Sequence, residues 1–399
     1  MAPERPLGYL QRSSYREVGR TQEGIRATVN EVTGPSRDDA LLVVEDVATH
    51  FSIPAGTVRA VDGVSFQLRP GETLGIVGES GSGKTVLART IMRLNLGGNV
   101  HTSGNVYFSG RDLLSLPMAE MTEIWGQEMS MVFQDPMTSL NPVVKVGRQL
   151  TEHVRKHLGI SKAEARDLAI ELLKSVRIPE AMSRIDAYPH ELSGGMRQRV
   201  SIAIALACNP KLLFADEPTT ALDVTVQHQI LNLLGMQQQE RGMGMVLVTH
   251  DLGVVAGRTD EILVMYAGKI VEQAETTAIF QETAHPYTEA LLRSIPKIDL
   301  PSHTRLAAIA GRPPDLIAPS TGCSFSPRCP YAQERCFEEA PVLKQQTSGH
   351  AFACWYPVGT PENKAAWEKN LSEGRLSTLA VAKGQIVDEV PVDLTSGSA

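Results

Sequence analysis

Apolar and polar positions alternate in short blocks along most of the chain. Residues 41–47 form a β-rich apolar run, and residues 58–68 alternate apolar and polar before ending in Arg69-Pro70-Gly71-Glu72. A Pro-Gly pair marks a turn, because Pro presets φ and Gly tolerates the conformations that follow. The two runs predict an antiparallel hairpin feeding into Thr73-Leu74-Gly75-Ile76-Val77, an apolar run suited to a buried strand. Residues 86–92 are then apolar on one helical face. Further short strands are expected at 104–110, 129–133, 211–215 and 245–248, with a hairpin of 261–266 and 269–275 around Ala267-Gly268. Between 147 and 190 the period turns helical. Ser161 with Glu164 three residues on forms a capping box, and Leu168, Leu172, Leu173 and Val176 share one face. The whole pattern predicts an α/β fold with a helical insertion between sheet-forming stretches.

The strand at 73–77 and the helix at 86–92 flank Gly78-Glu79-Ser80-Gly81-Ser82-Gly83-Lys84-Thr85. This is the G-x-x-x-x-G-K-T phosphate-loop pattern in its proper context of strand, Gly-rich turn and helix. Glycines let backbone N–H groups converge on phosphate oxygens, and the positive end of the helix adds to the attraction. Lys84 is expected to reach the β- and γ-phosphates, and the Thr85 hydroxyl to ligate Mg²⁺. Gln134 follows the strand at 129–133, where α/β sheets place ligand groups. Ser193-Gly194-Gly195 precedes an Ala/Ile-rich helix, and its free N–H groups and hydroxyl suit an anion. The run at 211–215 ends in Asp216-Glu217; one carboxylate there can hold Mg²⁺ and the other polarise water. Asp223 sits in a short loop before a helix, and His250 ends the strand at 245–248, where it could contact a γ-phosphate. Phe51 could stack on a purine base or be buried.

Composition narrows the class. The 399 residues are 42% apolar and 21% charged, which fits a globular protein of two to three domains. A net charge of −7 argues against the whole chain acting as a nucleic-acid trap, and no nucleic-acid partner is expected. No run approaches the roughly 18 apolar residues that span a bilayer, and the N-terminus lacks the apolar core of a secretion signal. A cytoplasmic chain follows, in which structural disulfides are not expected. Residues 1–38 are polar and suggest a flexible extension. Arg12, Arg16 and Arg20 there stand at helical spacing, which allows a surface helix touching lipid or a partner.

These ordered signals together resemble the nucleotide-binding subunit of ABC transporters. Residues 78–85 resemble its Walker A motif, Gln134 its Q-loop, and residues 192–199 its signature. Residues 214–217 resemble its Walker B motif with the catalytic Glu, Asp223 lies in its D-loop, and His250 resembles its switch histidine. The resemblance covers about residues 40–295. His285-Pro286-Tyr287-Thr288, Gly311-Arg312-Pro313-Pro314 and the stretch 323–330 further resemble the C-terminal extension of oligopeptide/dipeptide importer ATPases, to which nickel importers are close.

The resemblance implies a P-loop NTPase core, α/β, with a mixed sheet, an antiparallel β subdomain, a helical subdomain and a small Cys-rich C-terminal extension. The expected divisions are 1–38 extension, 39–295 ATPase (about 140–195 helical), 296–357 Cys-rich, and 358–399 tail with a short helix near 365–371. It further implies ATP with Mg²⁺ held by Thr85, Gln134 and Asp216, and Glu217, His250 and Gln134 in catalysis. Gly78, Ser80, Gly81, Ser82, Gly83, Lys84, Thr85 and Phe51 would hold nucleotide from one subunit. Ser193, Gly194, Gly195 and Asp223 would complete a homologous partner's site, making a heterodimer. Two membrane permeases and an extracytoplasmic peptide-binding protein complete the implied assembly, at the cytoplasmic face of the membrane.

Cys323, Cys329, Cys336 and Cys354 are separated by five, six and seventeen residues. Four thiols in a cytoplasmic chain suggest a metal site, although the gaps match neither a zinc ribbon nor the common ferredoxin run. The resemblance implies a [4Fe–4S] cluster there; Zn²⁺ and free buried thiols stay open. Cys208, in the apolar helix after the signature, is expected in the core. A soluble ABC ATPase of DNA repair is the contrasting class. It needs a long coiled coil between Walker A and signature, and only 108 residues without sustained heptads separate Lys84 from Ser193. Ribosome-acting relatives usually carry two cassettes, and this chain has one.

Overall fold

In this computed structural model the described residues are 39–135, 139–220, 222–295, 309, 311–318, 320–346 and 349–374. The expected N-terminal extension with Arg12, Arg16 and Arg20 lies outside them, as does the tail beyond 374. The strands are β1 (Leu42–Ile53), β2 (Gly56–Leu68), β3 (Thr73–Val77), β4 (Val100–Phe108), β5 (Arg111–Asp112), β6 (Met129–Val132), β7 (Leu212–Asp216), β8 (Gly244–Thr249), β9 (Glu261–Tyr266), β10 (Lys269–Glu275), β11 (Lys344–Gln345) and β12 (Ala351–Phe352). The helices that matter for the site are α1 (Lys84–Ile91), α2 (Met118–Ile124), α3 (Val146–Leu158), α4 (Lys162–Ser175), α5 (Ala181–Arg184), α6 (Gly194–Leu206) and α7 (Val224–Arg241).

Continuous apolar strands, buried on both faces, build the central sheet. It runs β11-β12-β10-β9-β3-β8-β7-β6, with β3, β6, β7, β8 and β9 parallel. Every residue of β3 and β7 is buried, as a sheet covered on both faces requires. Leu213 and Ala215 face one core with Leu247, Val264 and the helical residues Leu150, Val154 and Leu173. Leu212 and Phe214 face the other with Val246, Ile76, Phe66 and Val106. The helices α3–α6 therefore cover one face. The antiparallel sheet β2-β1-β4-β5 covers the other.

Local chemistry sets several boundaries. Ser161 Oγ accepts from Glu164 N while Glu164 reaches back to Ser161 N, closing the expected capping box of α4. The hairpin of β1 and β2 is antiparallel, as the alternation at 58–68 predicts. β4 begins at Val100, four residues before the expected Gly104. Its first residues are exposed or half-buried, so they carry no apolar signal. The strands β11 and β12 were not expected at all. Two residues give no period, yet Glu272 and Gln273 of β10 pair with Phe352 and Ala351, so the Cys-rich region extends the main sheet. The last helix (Pro361–Ser372) starts earlier than 365 because Thr360 caps it and Pro361 fills its first position.

Candidate functional site

Parallel strands deliver their carboxyl ends to one rim, so the residues after β3, β6, β7 and β8 meet there. After β3 the loop of residues 78–83 is wedged between neighbours. Gly83 has φ 103°, and a Cβ on it would lie 2.2 Å from the Ala60 carbonyl oxygen of β2. Gly268 N, in the β9–β10 turn, donates to Ser82 O at 3.0 Å. Ser82 is buried, whereas Ser80 and Gly81 are exposed at the tip of the loop. Lys84 is 4% exposed, and its Nζ donates to Gly78 O (2.7 Å) and Glu79 O (3.0 Å). Burial lowers the Lys84 pKa from its ordinary value, against the opposing pull of Glu217 and Asp216.

The two acids after β7 have different surroundings. Thr85 Oγ1 donates to Asp216 Oδ1 at 2.9 Å, while Asp216 Oδ2 is buried with no hydrogen-bond partner. Burial raises the Asp216 pKa, with the Thr85 bond opposing. A buried carboxylate oxygen without a donor, beside a hydroxyl, is a fit for a divalent cation, so Thr85 and Asp216 suit Mg²⁺. Glu217 takes φ 44°, and its amide donates to Val248 O at 2.9 Å, which turns its side chain along the rim. Its Oε2 accepts from Gln134 Nε2 (2.9 Å) and Thr220 Oγ1 (2.8 Å), with His250 Nδ1 at 3.4 Å. The bond with His250 is the largest influence lowering the Glu217 pKa; burial opposes it and Thr220 assists. The same bond raises the His250 pKa.

Three elements thus converge on one carboxylate. Thr220 was not singled out in the sequence, because Thr three residues after an acid is an unremarked turn residue. Ser193 and Asp223 are engaged as helix caps instead of with Glu217. Ser193 Oγ accepts from Met196 N (3.3 Å) to cap α6, and Asp223 Oδ1 accepts from Val226 N (2.9 Å) to cap α7. The two helix starts touch each other, since a Cβ on Gly195 would meet Val226 at 2.8 Å. Among the described residues, no hydrogen bond or ion pair joins them to residues 78–85. Phe51 lies on β1 opposite Val58 and Val100, half-buried rather than enclosed.

A further link joins Glu79 to the C-terminal region. Arg328 NH1 and NH2 donate to Glu79 Oε2 (2.6 Å) and Oε1 (2.9 Å), and Glu79 N donates to the Tyr287 hydroxyl (2.7 Å). Residues 249 apart in sequence cannot be paired by local pattern.

The expectation of an iron–sulfur centre is corrected. Cys323, Cys329, Cys336 and Cys354 line one cavity, but all are free thiols. Among the described residues, no group of three or more His, Cys, Asp or Glu side chains could hold a metal ion. Burial also works against the thiolate form that a metal would need. It raises the pKa of Cys323 and Cys336, pushes Cys354 up to about 12, and lifts Cys329 well above the usual thiol value. Neither the [4Fe–4S] cluster nor zinc is supported; the four thiols are free, Cys336 buried and the other three half-buried. Cys208, just past α6, is half-buried instead of in the core.

Fold and rim define a P-loop ATP-binding cassette. The family described as ABC transporter matches residues 61–220, and that described as oligopeptide/dipeptide transporter, C-terminal region, matches residues 271–336. The oligopeptide transport ATP-binding protein OppD of Escherichia coli (strain K12) is 50% identical over 320 residues, covering 80% of this chain and 94% of OppD. The dipeptide transport ATP-binding protein DppD of the same organism is 48% identical over 320 residues, covering 80% and 97%. The dimeric ATP-binding cassette MJ0796, in a post-hydrolysis state bound to ADP and Pi, superposes with a TM-score of 0.53 at 30% identity. That likeness covers 59% of this chain and 98% of that one. The chain belongs to the ABC transporter family, as an ATPase carrying the oligopeptide/dipeptide transporter C-terminal region.

Proposed function

We propose that this ATPase is the motor of a membrane importer for oligopeptides or dipeptides. The observation that carries the ATPase half is the convergence of Gln134, Thr220 and His250 on Glu217, one residue beyond the buried Asp216. The peptide substrate rests on the names of relatives such as OppD and DppD. Residues 78–83 cradle the phosphates, and Lys84 exchanges its carbonyl partners for phosphate oxygens. Thr85 and Asp216 would hold Mg²⁺, with Gln134 as a further ligand, and the ion would supply positive charge to the phosphates. Glu217, kept ionised by His250, polarises the attacking water, and Gln134 and Thr220 hold its carboxylate in place. Phe51 contacts the base.

Ser193, Gly194, Gly195 and Asp223 point to a second nucleotide site shared with a homologous ATPase subunit. A groove of about 290 Å³ lined by Trp125, Met131, Phe133, Leu140, His153 and Ile204 lies beside the strand end that carries Gln134. Phe133 is 37% exposed in its wall, which suits a helix of a membrane permease. A permease seated there would press on the strand end that carries Gln134 and so sense the nucleotide. No helix among the described residues is long and apolar enough to cross a membrane. As the ATPase of an importer, the chain would sit peripherally on the cytoplasmic face, docked on the permeases. We further read 39–295 as the ATPase unit, about 140–195 as its helical part and 296–357 as the appended region. Co-purification from detergent-solubilised membranes tests the assembly. The expected result is two permeases and a second ATPase in stoichiometric yield; recovery of the chain alone would contradict it.

A further inference from the structure

We infer that Arg328 is a positioning residue of the phosphate loop, acting through Glu79. Glu79 is chemically out of place: it puts a negative side chain in a loop whose work is to bind a polyanion. Two groups from beyond β10 deal with it. The Tyr287 hydroxyl accepts from the Glu79 amide at 2.7 Å, and the Arg328 guanidinium takes both carboxylate oxygens in a fork at 2.6 and 2.9 Å. Such a fork fixes orientation as well as charge, which a lysine could not do.

Arg328 is itself held rigid. It is 5% exposed, and its remaining donors reach the Tyr266 hydroxyl (3.2 Å) and the Ile309 carbonyl (3.0 Å). Phe325, three residues before it, packs at 5.3 Å from both Tyr266 and Tyr287, whose own rings are 4.5 Å apart. The guanidinium is therefore ordered before nucleotide arrives, and the loop it grips inherits that order at no further entropic cost. The grip also steadies the loop's cation, since Lys84 Nζ donates to the Glu79 carbonyl at 3.0 Å. Removing Arg328 would free the loop and leave a carboxylate unpaired one residue into the phosphate cradle. Both effects act on nucleotide binding more than on the chemical step. The inference concerns ATP at this loop alone and is independent of what the transporter carries.

Titration of the full-length chain with a fluorescent ATP analogue, alongside steady-state hydrolysis, tests it. R328Q should raise the Kd and KM for ATP on the order of tenfold, with kcat at saturating ATP changed less than about threefold. R328K, which keeps the charge and loses the fork, should fall between R328Q and the parent. The double variant E79Q/R328Q should recover to within about threefold of the parent, because the stranded charge is gone. E79D leaves the C-terminal region untouched and shortens the carboxylate out of the fork; it should weaken ATP in the same direction, and it decides the matter if R328Q does not fold. A Kd within about twofold of the parent for R328Q or E79D overturns the inference. So does a double variant no better than R328Q, the pattern of an arginine that only anchors the C-terminal region.

Discussion

Replacing Glu217 by Gln removes a charge and keeps the shape. The side chain meets Gln134 at 2.9 Å, Thr220 at 2.8 Å and His250 at 3.4 Å, all on one oxygen. A Gln amide oxygen can still accept from Thr220, so the rim should keep its geometry. What is lost is a group able to polarise water and take a proton. Positioned general bases contribute about 10²- to 10⁴-fold, or about 2.7–5.5 kcal/mol at 1.36 kcal/mol per decade. Hydrolysis by E217Q should fall by that factor. ATP binding should hold or tighten, because one negative charge leaves the neighbourhood of the phosphates. Phosphate release at saturating Mg-ATP reads the first quantity and titration with a fluorescent ATP analogue reads the second. A rate within about threefold of the parent would refute the assignment; so would a loss of binding large enough to account for the loss of rate.

Asp216→Asn should raise the Mg²⁺ concentration for half-maximal hydrolysis on the order of tenfold, since an amide is a poorer ligand than a carboxylate. Because burial raises the Asp216 pKa, the folded state disfavours its charge at neutral pH, and the same variant should melt higher than the parent without Mg²⁺. Glu217 and His250 give a pH dependence of defined sign. The raised pKa of His250 makes its contribution complete below about 6.5 and lost as pH climbs through the folded value. The depressed pKa of Glu217 makes its contribution present above about 4.5 and lost as pH falls through the folded value. The melting difference between the parent and His250→Ala should be largest between those limits, and a difference that grew steadily above pH 8 would contradict the pairing. Ser193→Ala removes the cap of α6, costing about 1 kcal/mol in urea unfolding. ATP-driven pairing, read by light scattering, should weaken, while the isolated chain's ATP Kd stays within about twofold.

Local signals carried much of this fold. The capping box at Ser161 and Glu164 and the Pro-Gly turn before β3 are short-range chemistry, and the folded chain uses both. The order of Lys84, Gln134, Asp216, Glu217 and His250 was readable because each follows an apolar strand, and parallel strands bring such positions to one rim. Thr220 escaped notice since its role depends on the turn that Glu217 makes at φ 44°. The clasp of Arg328 on Glu79 and the two-residue strand β12 depend on tertiary placement and leave no period to read. The cysteines misled for the opposite reason. Their crowding suggested ligands, but among the described residues no three of them form a group that could hold a metal ion, and burial beside aromatic side chains disfavours the thiolate.

The central claim is that ATP hydrolysis at this rim drives peptide uptake. Its most direct measurement is transport of a labelled oligopeptide into proteoliposomes holding this chain with the proposed second ATPase and two permeases, and the proposed peptide-binding protein outside. The account predicts uptake that requires ATP on the ATPase side and disappears with E217Q in this chain. Uptake unaffected by E217Q, or hydrolysis without any peptide uptake, would contradict it.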